Sequence, residues 1–198
     1  MCLVLQGQDA LYWRQIALEN DEEEVKKRFN EWIVDYLPEG VQGEFDHFLA
    51  LTDYEQNLVA TVRVSGNLGS VTGKHFFLPE LFFEVKSKHP FVAQDKRTIP
   101  VDLHYARSEE DDVTYRLPVG YSMDVDSKPK TIYWPDHAKL TIAATTENEV
   151  VHVTRSLVYS YTILNAKEYA GLHDFYQKVA TADQQQITLT KGAAASGN

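Results

Sequence analysis

Residues 139–162 read KLTIAATTENEVVHVTRSLVYSYT, and this stretch decides the fold class. Lys139–Thr145 is a strand candidate, and Val150–Thr162 is a longer one in which Val151, Val153, Leu157, Tyr159 and Tyr161 fall on one face. Side chains alternate across a strand, so that spacing marks a sheet with one buried side. Arg155 interrupts the buried row. Glu147-Asn148-Glu149 reads as the tight turn of an antiparallel hairpin. Working outward, Lys130–Trp134 is a further strand. Upstream, Val101, Leu103 and Tyr105 alternate, Ser108–Asp112 forms an acidic turn, and Val113, Tyr115 and Leu117 alternate back until Pro118–Tyr121 breaks the hairpin. Phe45, His47, Leu49 and Leu51 make one more strand, answered after a turn at Asp53–Gln56 by Leu58, Ala60, Val62 and Val64. Lys74–Leu78 and Gln186–Thr190 are short strands, Leu81-Phe82-Phe83 is a strand or a packed loop, and Pro90–Pro100 is a connection.

Two segments change period. Asn20-Asp21-Glu22-Glu23 starts a helix, with Asn20 as cap, Glu23 completing a capping box, and acids at the positive end of the dipole. Val25, Phe29, Trp32, Ile33 and Tyr36 then share one helical face, with Glu22–Lys26, Glu23–Lys27 and Glu24–Arg28 as i,i+4 pairs. Asn165–Glu168 is a second capping box, and Tyr169, Leu172, Tyr176 and Val179 form the stripe of a second helix. The first residues, Cys2–Leu5 and Ala10–Leu18, read as two short strands around Gly7. The pattern predicts a mainly β (α+β) chain: an antiparallel β-sandwich with one amphipathic helix in the N-terminal half and one C-terminal helix. The expected organisation is a small strand-helix segment over residues 1–43 packed on a main sandwich of 44–191. A disordered tail of small and polar residues is expected over 192–198.

The formal charge of −10, with 29 acidic against 19 basic residues, argues against nucleic acid as a partner, because phosphate surfaces need clustered Lys and Arg. A single cysteine, Cys2, excludes an internal disulfide framework. No stretch approaches the roughly 20 apolar residues of a membrane span, and Met1–Leu5 is too short for a signal peptide.

The sequence offers few groups for chemistry. No two of the seven histidines stand at a metal-binding spacing, so no metal is expected; His104 and His152 could approach each other or a carboxylate such as Asp102. Cys2 has no helix start after it to activate its thiol. There is no Gly-x-Ser-x-Gly, and the glycines at 66 and 69 lack a following Lys-Ser/Thr. The acidic groups Asp21–Glu24, Glu109–Asp112 and Glu147/Glu149 read as a helix start and two turns, while Asp124 and Asp126 alternate as calcium ligands do but lack the rest of that loop. Neither a catalytic residue nor a cofactor is expected. The one suggestive feature is the aromatic content of 12%. Tyr133-Trp134 and Tyr159/Tyr161 fit either a sugar-stacking platform or cross-strand core pairs.

Several segments in a fixed order carry a family likeness. They begin with Arg14 ahead of the acidic helix 21–37, then Gly69 to Leu78-Pro79, Arg97-Thr98-Ile99-Pro100-Val101, and Tyr115-Arg116-Leu117-Pro118-Val119-Gly120-Tyr121. They close with Tyr169-Ala170-Gly171-Leu172-His173-Asp174-Phe175 and Gln186-Ile187-Thr188-Leu189. Over about residues 5 to 191 the chain resembles the non-catalytic C-terminal region of bacterial transglutaminase-like proteins. In that family a β-rich domain of unknown function precedes a papain-like core and a further β-rich domain follows. The resemblance implies a sandwich fold, a periplasmic or secreted parent, and a transglutaminase-like catalytic domain as partner in cis or in trans. The catalytic Cys, His and Asp would lie before Met1, so it transfers no active-site residue. An accessory role is therefore expected, and a stand-alone carbohydrate or cell-wall binding module is the competing expectation, with Tyr133 and Trp134 as its stacking residues.

Overall fold

A computed structural model describes residues 1–83, 91–123, 128–147 and 149–191. The chain forms two compact units, Met1–Leu68 and Gly69–Asn198.

In the first unit, β1 (Cys2–Leu5) leads into α1 (Gly7–Glu19) and α2 (Glu22–Val34), followed by β2 (Val41–Leu49) and β3 (Leu58–Gly66). The strands make an antiparallel sheet in the order β1-β3-β2. Residues 10–18, expected as a strand, are helical. The reason lies in the pattern: Ala10, Trp13, Arg14 and Ile16 are buried on one side, while Leu11, Tyr12 and Leu18 are exposed on the other. Apolar residues on both faces blur the 3.6-residue period that identifies a helix. The N-terminal half thus holds two helices rather than one. Asn20 does not cap α2; its side-chain amide donates to the Ile16 carbonyl at the end of α1, and Asp21 accepts from the Glu24 N–H instead. Of the expected i,i+4 pairs Glu24–Arg28 forms, at 2.8 Å, and Lys26 reaches across to Glu44 at 2.9 Å.

The aromatic core of this unit joins Trp13, Phe29 and Phe45, with ring centroids 4.7 and 4.6 Å apart. Each fully buried side chain such as Phe29 or Ile33 stabilises the unit by about 1.5–3 kcal/mol. A bulge between Phe45 and His47 shifts the register of β2. It turns Phe48 inward beside Phe45 and leaves His47 and Leu49 on the open side, where the plain alternation had put them with Phe45. At Gly43 a Cβ would lie 2.7 Å from Leu37 Cδ1, so the turn after α2 packs onto β2 closely only without a side chain there. β2 runs without a break from Val41 to Leu49.

The second unit contains β4 (Ser70–Thr72), β5 (His75–Pro79), β6 (Val101–Asp102), β7 (Ser108–Arg116), β8 (Tyr121–Met123), β9 (Lys130–Trp134), β10 (Ala138–Glu147), β11 (Val150–Tyr159) and β12 (Ile163–Leu164). It ends in α3 (Tyr169–Asp183) and β13 (Gln186–Lys191). Two four-stranded antiparallel sheets form, β7-β11-β10-β9 and β4-β5-β13-β8, with a two-stranded pair β12-β6. Among the described residues the chain is therefore mainly antiparallel β with three α-helices. The hairpin read from residues 101–117 does not form: β6 pairs with β12, and Ser108–Arg116 is one uninterrupted strand paired with β11. Glu110 and Asp112 of that strand are exposed and alternate with the partly buried Glu109 and Asp111, which the sequence pattern alone had placed in a turn.

The 139–162 stretch folds as a β10–β11 hairpin in which Glu147 pairs with Val150 and Glu149 takes φ +62°. Asn148 lies outside the described residues. Val151, Val153, Arg155, Leu157 and Tyr159 are all buried on one face. Leu157 and Tyr159 of that face share a core with the stripe Tyr169, Leu172, Tyr176 and Val179 of α3, whose start carries the Asn165–Glu168 capping box on a short 3-10 turn. The inner face also meets the second sheet, where the Tyr115 hydroxyl donates to the Pro79 carbonyl at 3.2 Å and Thr146 to Met123 Sδ at 3.1 Å. Leu81 is buried in a bend rather than a strand. The expected tail at 192–198 lies outside the described residues.

Candidate functional site

The densest group of ionisable side chains surrounds Arg155, the residue that interrupts the apolar row of β11. A strand places it there with the same phase as Val153 and Leu157, so its guanidinium enters the interior. Its side chain is 3% exposed. Nε and Nη2 donate to the two carboxylate oxygens of Asp183, both at 2.9 Å, a bidentate pair at the C-terminal end of α3. Nη1 donates to Asp111 at 3.3 Å and to Glu109 at 3.5 Å, both from β7. Arg107 closes on the other oxygen of Glu109 at 3.0 Å and lies over the Tyr159 ring, 5.3 Å from its centroid. The Tyr176 hydroxyl donates to that of Tyr159 at 2.9 Å. Tyr161, beside them, has a buried hydroxyl without a hydrogen-bond partner.

The electrostatics follow from burial. Desolvation lowers the Arg155 pKa, but the Asp183 hydrogen bond and charge, with Asp111 and Glu109, outweigh it and hold the guanidinium above its ordinary value. Burial pushes the Asp111 carboxyl up despite the attraction of Arg155. Burial likewise drives Tyr159 up to about 12, and raises Tyr161 and Tyr176. An anion at a helix C-terminus is unfavourable, so Arg155 offsets the dipole as well as the charge of Asp183. The guanidinium and the phenols thus keep one protonation state near neutral pH. What this arrangement does chemically is clamp β7, β11 and the end of α3 together. The sequence held part of the signal for it: a guanidinium in a buried phase demands hydrogen-bond acceptors, and the acids at 109–112 are candidates for them.

The residues singled out from the sequence are dispersed. Tyr133 is 62% exposed, on the outward face of β9. Trp134, its neighbour, turns inward, stacks on His137 at 4.2 Å and closes over Gly171, where a Cβ would sit 3.1 Å from the indole. Adjacent strand residues point to opposite faces, so these two do not make one platform. Tyr159 and Tyr161 meet edge to face at 6.5 Å, with Tyr159 in the core. His152 pairs with Asp112 at 2.7 Å and His104 with Asp102 at 3.4 Å, so each stands against a carboxylate. Cys2 is exposed at the start of β1. Asp124 and Asp126 lie outside the described residues. Among the described residues no three metal-ligating side chains gather, and no helix is long and apolar enough to cross a membrane.

The other buried arginine, Arg14, donates to the carbonyl oxygens of Asp53 at 2.6 Å, Gln56 at 2.9 Å, Ala50 at 3.0 Å and Leu51 at 3.2 Å. It thereby closes the loop after β2 onto α1.

Fold and clusters together define a mainly β scaffold whose buried charges join its elements. The chain belongs to the family described as a domain of unknown function with solved structure (DUF3858), which matches residues 74–189 and so lies within the second unit. No curated protein matches the chain. It is similar to a solved structure of a candidate protease from Parabacteroides distasonis, at 13% identity and a TM-score of 0.46, over 79% of this chain and 25% of that one. The chain thus spans about a quarter of that protein's length.

Proposed function

We propose that the chain is a non-catalytic accessory region of a transglutaminase-like protein, supporting its catalytic domain or helping to present substrate, in a periplasmic or secreted parent. The observation that carries this reading is where the residues of the family likeness go. Tyr169, Leu172 and Phe175 are buried in the α3 stripe, Gly171 admits the Trp134 indole, Leu117 is buried after β7, and Ile187 and Leu189 are buried in β13. The segments that mark the kinship build framework, and framework is what a supporting region must retain. The test is to mix the chain with a transglutaminase-like catalytic domain encoded beside it, and to assay that parent with and without this region. Association, together with lower activity or stability of the truncated parent, is expected. Absence of association with unchanged parent activity would sink the reading.

A second reading, a carbohydrate or cell-wall binding module, rests on Tyr133 alone. It stands exposed in register with Lys139, next to the hydroxyl pair Thr131–Thr141. Glycan-array signal lost on Tyr133→Ala would favour it, and no signal from the intact chain would remove it.

A further inference from the structure

Among the described residues the sheet β7-β11-β10-β9 ends in β7 on one side and in β9 on the other, and the two edges are unlike. β7 carries Glu109, Glu110, Asp111 and Asp112, and charge on an edge strand deters a further strand from pairing. In β9, Thr131, Ile132, Tyr133 and Trp134 carry none and are of the types that favour strands. The register shows which of them face outward. The Trp134 carbonyl accepts the His137 N–H at 3.1 Å in the β9–β10 turn, so the Trp134 main chain points toward β10. Main-chain direction alternates along an antiparallel strand. Ile132 and Lys130 therefore point as Trp134 does, while Thr131 and Tyr133 aim N–H and C=O away from the sheet. Among the described residues no strand takes them up. α3 runs beside this edge, with Gly171 against the Trp134 indole near its start. Further along, an open groove of about 590 Å³ lies between Thr131 and Ile132 of β9 and Gln177, Thr181 and Ala182 of α3. The ions at its rim are matched, Lys178 with Asp174 at 2.7 Å and Lys130 with Glu80 at 3.6 Å.

We propose that the groove between β9 and α3 binds an extended polypeptide segment, which pairs with Thr131 and Tyr133 as a fifth strand of the sheet. The occupant follows from what the groove offers. N–H and C=O groups aimed outward at every second residue are matched by the main chain of another strand, and those bonds supply the affinity in such additions. The side chains of an added strand alternate, so half of them face α3. There they meet the Gln177 amide and the Thr181 hydroxyl, with the neighbouring ions already paired, so uncharged polar side chains fit that side. A second copy of this chain is the poorer fit, because two bodies of formal charge −10 repel on approach. The site goes beyond the accessory role proposed above and needs no catalytic domain in contact.

The test is to pan a phage-displayed library of random decapeptides against the immobilised full chain, then titrate the enriched peptide by fluorescence anisotropy. Thr131→Pro removes one outward N–H and no bond to β10, a change that edge strands tolerate. Thr131→Ala keeps that N–H, and Thr181→Trp fills the groove from an exposed helix position. About tenfold or greater weakening is expected for Thr131→Pro and Thr181→Trp, with little change for Thr131→Ala. In the intact chain the amide resonances of Thr131 and Tyr133 are expected to shift on titration. Circular dichroism verifies the fold, and should Thr131→Pro unfold, Thr181→Trp and the two resonances decide. No enriched peptide, or equal affinity for all forms, would overturn the proposal. A loss in Thr131→Ala equal to that in Thr131→Pro would overturn it too, since a side chain and not the main chain would be read. So would a dimer of the intact chain that Thr131→Pro dissociates, because β9 would then serve a second copy. Each of these results leaves the accessory role standing.

Discussion

Arg14 and Arg155 are the two arginines buried among the described residues, at 5% and 4% exposure, and they are satisfied in different ways. Arg14, on a helix of the first unit, donates to four neutral backbone carbonyls, two from the partly buried Ala50 and Leu51 and two from the exposed Asp53 and Gln56. Arg155, on a strand of the second unit, faces three carboxylates, one of them a bidentate partner that is itself 5% exposed. The first arrangement spends a charge on organising loop geometry, including Ala50 at φ +58°. The second neutralises charge against charge, and every partner would be costly to leave alone. A buried cation thus supports a loop in one unit and locks strand to helix in the other.

The difference becomes measurable when each arginine is removed. Arg155→Met leaves the Asp183 carboxylate buried without its bidentate donor and Asp111 beside it without its cation, while Glu109 keeps Arg107 at 3.0 Å. A loss of about 3–5 kcal/mol in urea unfolding is expected. A loss under about 1 kcal/mol would mean that water already reaches the cluster and that the clamp contributes little. Arg14→Met leaves neutral acceptors behind, and a loop at the surface can turn its carbonyls to water. About 1–3 kcal/mol is expected, with faster amide exchange in residues 50–57 and unchanged exchange in β10 and β11. A larger effect for Arg14 than for Arg155 would break the comparison.

How far the sequence reveals each region follows from the same chemistry. The β10–β11 hairpin and the α3 stripe were legible because period two and period 3.6 each ran over a single buried face. Arg155 was visible as a disturbance in that row, yet its partners were not, since four acids in succession at 109–112 resemble a solvated turn. Only the pairing of β7 with β11 separates Glu109 and Asp111 from Glu110 and Asp112. In the first unit the exposed Leu11, Tyr12 and Leu18 hide the helical period of α1, and the β2 bulge reverses the phase of Phe48. Arg14 was noticed as part of a family likeness, but the carbonyls it gathers leave no mark in side-chain sequence. The aromatic pair Tyr133-Trp134 was a question of phase alone: in a strand one of the two must face inward.

The finest distinction between the two arginines lies in their response to pH. The Arg14 partners are backbone carbonyls, which do not titrate, whereas the Arg155 cluster contains Asp111, whose carboxyl is held above its ordinary value by burial. An acid with a raised folded-state pKa binds more protons folded than unfolded just above its normal value of 3.8. Unfolding free energy therefore falls, for this group, as pH rises from there through the folded pKa, and is level beyond it. Asp111→Asn abolishes that contribution. The stability of the variant relative to the wild type is expected to improve as pH is raised across this window and then to level off. Arg14→Met, by contrast, is expected to shift stability by the same amount at every pH. Paired urea titrations at stepped pH read both. A difference for Asp111→Asn that falls with rising pH would show that Arg155 attraction outweighs burial, and would make the cluster an ordinary ion pair that lowers its carboxyl.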